Sequence, residues 1–487
     1  MSQGRYVLRI ITQLITSRLI YRVLVGIAVL IGTNYLFNDR ALADTFEVAV
    51  SATSIIFIAS EVGMSMVLMR AAAQVTKDKL ERYYGTALFI ETMAWLGFML
   101  VTTSIYASIN GFNTMFWLLI ILGTGQAIIQ YRVIFRSIYR SLHRGELITF
   151  IEVLDGLSKV AGMWLITHYI ADRTIGVYWI SIMFTLTTIL FIGIYGLNTF
   201  KLVRPRFASS LISDMTQEGF WFSAQTLIMT IYFEIDKLIM RFYQLTGWAE
   251  LPAGDITRYG AASRIIVFFL VFHRIGLQVI TPYLYAAFPK NMPGYRRIVQ
   301  WSTRYMSACG IGLGIGITIM ADDIMHLLYR EELWNATPAL QIFGVFLAVR
   351  FIGITSSQVF ATTGQQPLRT KQEFMGVILN IILDLILIPF FGFLGGAIAT
   401  LITELVIQTI FFVMARRIIQ DSVWLTFKQI IPALLAGIIM GILVYIIKPY
   451  LPIYVTPFIG AGLFALLLFT FKFFNKADLK LCTPSLH

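Results

Sequence analysis

The side chains with chemistry to offer are charged residues set inside long apolar stretches. Arg264, Arg274 and Arg350 stand in two such stretches, with His273 next to Arg274. A guanidinium presents forked donors that bind two oxygens of a phosphate at once. Three of them facing one wet chamber would suit a diphosphate group. The stretches 259–284 and 338–362 that hold them carry no acid of their own. The competing reading is that these arginines pair with Asp236, Glu234 or Glu404 from neighbouring stretches.

Two further groups fall at helical spacing. Glu152, Asp155 and Lys159 share one face at i, i+3 and i+7, and so do Glu234, Lys237 and Arg241, while Asp236 points elsewhere. Lys159 is a candidate to join the cationic set, or else it pairs with Asp155. Lys237 pairs with Glu234 on the bland reading, and Arg241 snorkels to the interface. Asp236, Glu61 and His273 are the candidates for holding a coupling ion, since an imidazole titrates near neutral pH. The bland alternative for Asp236 is bracing between helices; for Glu61 and Glu404 it is bonding to nearby backbone. Glu91 reads as shallow and solvated. Asp384 is another deep acid. Arg18, Arg22 and Arg70 lie towards one mouth of the membrane, where they would attract an anionic head group, orient the chain or contact anionic lipid. A charge at the bilayer centre costs about 2.5–3.5 kcal/mol on insertion scales, so each retained charge must pair or line a wet cavity.

The composition dictates what carries these groups. The chain has 487 residues, 57% hydrophobic and only 13% charged, with a mean hydropathy of +0.76. A soluble chain needs about a quarter of its residues charged. This one is an all-α polytopic membrane protein on composition alone. The net charge of +12, from 38 Lys and Arg against 26 Asp and Glu, gathers in short connections. It reports orientation, and no nucleic-acid partner is expected. Cys309 and Cys482 imply neither a disulfide framework nor a metal site. The glycines of Gly310–Gly316 lack the lysine of a phosphate-binding loop and read as close helix packing. No cofactor, metal or catalytic residue is expected. The basic N-terminus leads into an apolar run without a cleavage site and reads as a retained first helix.

Fourteen runs of spanning length can be marked: 17–37, 46–69, 84–107, 113–135, 147–170, 175–197, 219–243, 259–284, 299–321, 338–362, 371–391, 393–415, 428–447 and 453–474. A barrel would need strands of ~10 alternating residues instead. The even-numbered connections carry the Lys and Arg excess, and the odd ones hold one basic residue or none. Both termini therefore read as cytoplasmic. The longest polar connector, 198–218, divides a six-helix lobe (1–197) from a second six-helix lobe (219–417), followed by two extra helices and a tail (418–487). Weak echoes between the halves suggest two repeats of the same orientation, as many transporters have.

Three stretches carry a family resemblance. The first is Ile58-Ala-Ser-Glu61-Val-Gly63-Met-Ser65, followed by Arg70-Ala-Ala-Ala. The second is Ile235-Asp236-Lys237, followed by Tyr259-Gly-Ala-Ala262-Ser-Arg264. The third is Asn380-Ile-Ile-Leu-Asp384-Leu-Ile-Leu-Ile388-Pro389-Phe-Phe-Gly392-Phe-Leu-Gly-Gly396-Ala-Ile-Ala399-Thr. In this order they resemble the polysaccharide-biosynthesis flippases of the O-antigen (Wzx-type) branch. That branch belongs to the superfamily that also holds multidrug exporters and the lipid II flippase. Asp384 stands where the family more often has Asn, and the first run lacks the acid common in proton-coupled drug exporters. The resemblance implies two six-helix lobes plus two C-terminal helices. It implies a substrate, an undecaprenyl-diphosphate-linked glycan moved from the cytoplasmic to the outer leaflet for O-antigen, capsule or exopolysaccharide, by alternating access coupled to an ion. It places the chain in the bacterial cytoplasmic (inner) membrane, among membrane lipids, with a polysaccharide polymerase and a chain-length regulator as partners.

The alternative within the superfamily is a cation-coupled exporter of drugs or metabolites, with the acids as cation sites. A membrane enzyme such as a sugar polymerase would need a large outer loop. The longest outer connections here, 243–258 and 321–338, are too short to fold into one, so the chain reads as no enzyme.

Overall fold

A computed structural model describes residues 3–74, 76–141 and 145–473; within these, the side chains of residues 3–18, of 136–149 and of a few scattered positions lie outside the description. Fifteen α-helices follow one another, with no strand among the described residues. They are α1 (Gln3–Leu36), α2 (Arg40–Glu61), α3 (Met64–Gln74), α4 (Lys77–Asn110), α5 (Thr114–Ser141), α6 (Gly145–Tyr169), α7 (Arg173–Leu202), α8 (Ile212–Thr246), α9 (Asp255–Ala287), α10 (Met292–Leu328), α11 (Thr337–Thr362), α12 (Gln366–Phe391), α13 (Phe393–Ile418), α14 (Val423–Ile447) and α15 (Thr456–Thr470). In a bilayer only structures that satisfy their own backbone can span, and helices do so within one segment. Eleven of the helices are long and apolar enough to cross. The chain is a multi-pass membrane protein. α6 and α8 have the length but carry charges mid-helix, and α15 has only 15 residues.

The fourteen apolar runs reappear as these helices, one of them broken. The second run splits into α2 and α3 because Val62 and Gly63 both adopt left-handed conformations, at φ 45° and 68°. Gly63 takes that geometry without steric cost; a β-branched valine takes it only under strong constraint. The constraint is α8. Gly219 packs against this break so closely that a Cβ on either glycine would overlap the other segment's backbone. Gln130 from α5 then covers the break, donating to the Phe57 carbonyl at 2.7 Å and to Ser60 Oγ at 2.6 Å. The polar connector is shorter than its composition suggests, because α7 runs on to Leu202 and α8 begins at Ile212. Its Arg206 is tied to α4, with Nη1 3.0 Å from Asp78 and Nε 3.2 Å from Glu81.

The chain divides into two compact units. The first comprises Met1–Leu245 with Pro252–Thr257, the second Thr246–Leu251 with Arg258–His487. In the first, Met64, Leu68, Tyr84, Phe135, Tyr195 and Met215 form a buried core between α3, α4, α5, α7 and α8. In the second, Leu284, Val299, Phe360 and Phe411 join α9, α10, α11 and α13. Ala308, Ile311, Ala433, Ala436 and Leu468 join α14 and α15 to α10. The glycine-rich segment of α10 does serve close packing: Gly314 faces the backbone of Gly344, and Gly310 faces Phe351, both on α11. Small residues let spanning helices approach where lipid gives no hydrophobic drive.

One buried carboxylate organises the first unit's far end. Asp44 is 0% exposed. It accepts from the backbone N–H of Gly254 at 2.7 Å, from the N–H and Oγ1 of Thr257 at 2.8 and 2.7 Å, and from Gln244 Nε2 at 2.9 Å. An acid at the first turn of a helix satisfies orphan amides and meets the positive end of the dipole. The Asp44→Ala variant leaves those buried donors unpaired, at about 1–3 kcal/mol each. A large drop in thermal midpoint in detergent is expected, by differential scanning fluorimetry.

Candidate functional site

Most charges inside the first unit are matched. On α6, Lys159 Nζ lies 2.6 and 2.7 Å from the two oxygens of Asp155. Arg132 of α5 donates to Tyr21 Oη at 2.9 Å, Tyr21 donates to Asp155 at 3.1 Å, and Arg132 reaches Asp155 at 3.7 Å. Glu152 adds its field to Arg132. Two acids and two bases close this network, so the structure places Lys159 in a pair with Asp155. On α8, Glu234 is bound by Lys237 at 2.9 Å and by Ser51 Oγ at 2.6 Å, and Arg241 donates to Gln244 at 3.2 Å. Asp236 is buried at 1% exposure. Of the three arginines assigned to a mouth, Arg70 is exposed and meets Glu218 at 2.6 Å. Arg22 is exposed, and the Arg18 side chain lies outside the described residues.

The second unit holds the arginines that sequence singled out. Arg350 of α11 is half-buried and bonded through Nη1 to Glu404 Oε2 of α13 at 2.8 Å. Gln408 donates to the other Glu404 oxygen at 2.6 Å, and the guanidinium lies over the Phe346 ring. The His273 ring packs edge-on against Phe351 and feels the fields of Arg350, Arg274 and Arg369. Arg369 is itself held by Glu373 at 2.9 Å. Arg274 differs from these. It is exposed, makes no ion pair among the described residues, and its charged neighbour is Arg350. α9 spans 33 residues, so Arg274 stands near its middle. An exposed guanidinium halfway along a spanning helix faces water or a polar ligand, because facing lipid is costly.

The structure thus brings Arg274, His273 and Arg350 together. It does not bring Arg264 to them: ten residues earlier on α9, about 15 Å along the axis, Arg264 is bonded to Tyr329. Tyr329 in turn donates to the Ala261 carbonyl at 3.2 Å.

Sequence reasoning passed over several groups. Glu91 was expected to be solvated, but it is 1% exposed; the field of Glu61 on α2 reaches it there, and its own field reaches Tyr131 on α5. Arg416 reads as a loop charge, yet it is 0% exposed and donates to Thr303 Oγ1 at 3.1 Å. Asp44 lies near a helix start, where an acid is ordinary, so nothing marked it. The helix-face spacing of Asp155 and Lys159 did mark their pair.

No family model matches the sequence. An uncharacterised membrane protein of Methanocaldococcus jannaschii is 25% identical over 325 residues, 62% of this chain, and the chain spans 60% of that protein's length. Among solved structures, the lipid II flippase MurJ in an inward closed conformation superposes with a TM-score of 0.73. The match covers 96% of this chain and 99% of that one at 14% identity. An inward-facing multidrug resistance MATE family transporter of the MOP superfamily gives 0.63, covering 81% and 94% at 15% identity. A MOP superfamily transporter from Pyrococcus furiosus, described by the reversed polarity of its binding pocket, gives 0.57, covering 84% and 95% at 14% identity. The fold is the MurJ and MATE fold, as the sequence motifs led one to expect.

The pairing pattern predicts opposite stabilities for neighbouring substitutions. Glu404→Ala leaves Arg350 largely buried without its carboxylate and is expected to cost about 3–5 kcal/mol. Arg274→Ala removes an exposed, unpaired charge and is expected to shift stability by no more than ~0.5 kcal/mol. Thermal unfolding of the two purified variants checks the contrast.

Proposed function

We propose that the protein is a flippase that carries undecaprenyl-diphosphate-linked oligosaccharide repeat units from the cytoplasmic to the outer leaflet for surface polysaccharide. The observation that carries this reading is Arg274. It is a mid-helix guanidinium that is exposed, lacks an ion pair among the described residues, and sits beside a second guanidinium on Arg350. A site of that sign favours an anionic cargo, and forked donors favour phosphate oxygens. The fold match to a lipid II flippase and the three sequence motifs support the same class. The polarity of the pocket also distinguishes members of this superfamily, as the Pyrococcus furiosus transporter illustrates.

In this reading Arg274 binds the diphosphate directly. Arg350 follows, exchanging part of its contact with Glu404 for phosphate oxygens. Arg264, bonded to Tyr329, belongs to the cationic set of the second unit, and Lys159, paired with Asp155, is the cation the first unit would offer the cargo. Arg18, Arg22 and Arg70 draw the anionic head towards the cytoplasmic mouth. The cycle is alternating access in the cytoplasmic membrane, with both termini cytoplasmic. It is coupled to an ion through Asp236, Glu61 or His273. The protein acts as a transporter and catalyses no bond change, handing its cargo to a polymerase and chain-length regulator.

The sign of the exposed charge separates this reading from cation-coupled drug export. Arg274→Ala is expected to insert normally and to lower surface polysaccharide about ten- to a hundredfold, the loss of one charged hydrogen-bonded contact. Immunoblotting of surface glycan, alongside membrane abundance of the variant, measures it. Normal glycan with impaired drug efflux would transfer the assignment to the exporter class.

A further inference from the structure

The first unit contains a pair of acids that the cationic site does not use. Glu91 lies 14 residues beyond the start of α4, about 21 Å along the axis and well inside the apolar part of the helix. Its side chain is 1% exposed. Neither Oε1 nor Oε2 has a hydrogen-bond partner among the described residues. The field of Glu61 on α2 reaches it, and its own field reaches Tyr131 on α5. The Tyr131 hydroxyl is engaged with Thr92 Oγ1 at 2.6 Å, and Thr92 also bonds the Leu88 carbonyl at 2.6 Å. From α3 comes Ser65, which donates to Glu61 Oε1 at 2.8 Å. The basic residue of α3, Arg70, is committed to Glu218. Neither Glu61 nor Glu91 makes an ion pair among the described residues.

Such a place does not hold two negative charges. An ionised carboxylate with neither donor nor cation is expensive when taken from water, and the field of a second carboxylate adds repulsion. Two acids in that relation settle with one proton between them. The two are not equivalent. Glu61 is half-buried and has the Ser65 hydroxyl, which favours charge there. Glu91 is buried and has no donor, which favours the neutral acid.

We propose that Glu91 and Glu61 form a proton-binding site of the first unit, with the proton on Glu91 and the charge on Glu61. The proton comes from water, and its exchange moves one positive charge to or from the pair without breaking any other bond. The site adjoins the left-handed break at Val62 and Gly63, since Glu61 is the last residue of α2. The Glu61–Ser65 hydrogen bond spans that break, so a proton arriving on Glu61 removes the acceptor charge holding its two sides. This deepens the transport reading by naming a coupling ion; the use of the proton rests on that reading, whereas its presence does not.

Infrared difference spectra of the full-length protein in lipid vesicles at neutral pH, wild type against E91Q, read the proton without any substrate. The expected result is loss of a carboxylic C=O band that shifts in D2O. Loss of ionised carboxylate bands instead overturns the proposal. Should E91Q fail to insert, labelling of wild type by a hydrophobic carbodiimide, which attacks protonated carboxyls in apolar surroundings, takes its place. An adduct on Glu91 that fades as the medium is made alkaline is expected; absence of an adduct on Glu91 at every pH overturns the proposal. Both readings survive failure of glycan export to respond to Arg274→Ala, so the two hypotheses fall separately.

Discussion

A charge surrounded by hydrocarbon needs a partner, and that requirement shapes this protein more than any other. With only 13% charged residues, the chain keeps few ions at membrane depth, and among the described residues several of them are paired. Lys159 with Asp155, Lys237 with Glu234 and Arg350 with Glu404 each join an acid and a base at 2.6–2.9 Å. The first two pairs sit within one helix and hold one face. The third ties α11 to α13. These pairs add little net stability over apolar packing, but losing one partner is severe. Of the three, only Arg350 with Glu404 fixes which helix faces which.

Against that background the exceptions acquire meaning. Among the described residues, Arg274 is a cation without an ion pair, and Glu91 with Glu61 are acids without one, one group in each unit. Retained charge without a partner is rare inside membranes and tends to mark work on ions or polar cargo. On the proposals above, one unit offers a place for an anion and the other a place for a proton. Proton-driven movement of an anionic cargo requires both kinds of place, though not their location in separate units.

Much of this was legible in the sequence, for identifiable reasons. Run length gives the helices, because the bilayer imposes it. The i, i+3, i+7 spacing places Asp155 and Lys159 on one face, because helical geometry is local. Partners on other helices were not legible. The 338–362 run holds no acid, so Glu404 was one of three partners named for its arginine, but nothing in the run chose Glu404, 54 positions later, over Asp236 or Glu234, and nothing announced that Arg264 would find Tyr329. Glu91 looked shallow because depth was judged by distance along the chain, while burial depends on which neighbours cover the face. The break in the second run was also hidden: valine before glycine is an ordinary dipeptide, and the left-handed geometry goes with the close approach of Gly219 from a distant helix.

That approach carries a consequence for how the chain can vary. Because two glycines meet backbone to backbone, the path from α2 into α3 is set largely by main-chain geometry. Lengthening α3 by a single residue would turn everything beyond the insertion by about 100°. Arg70 would then swing away from Glu218, and Leu68 would leave the core it shares with Tyr84 and Phe135. Related chains that keep this kink should therefore preserve the count of residues between it and that arginine more strictly than the residues themselves.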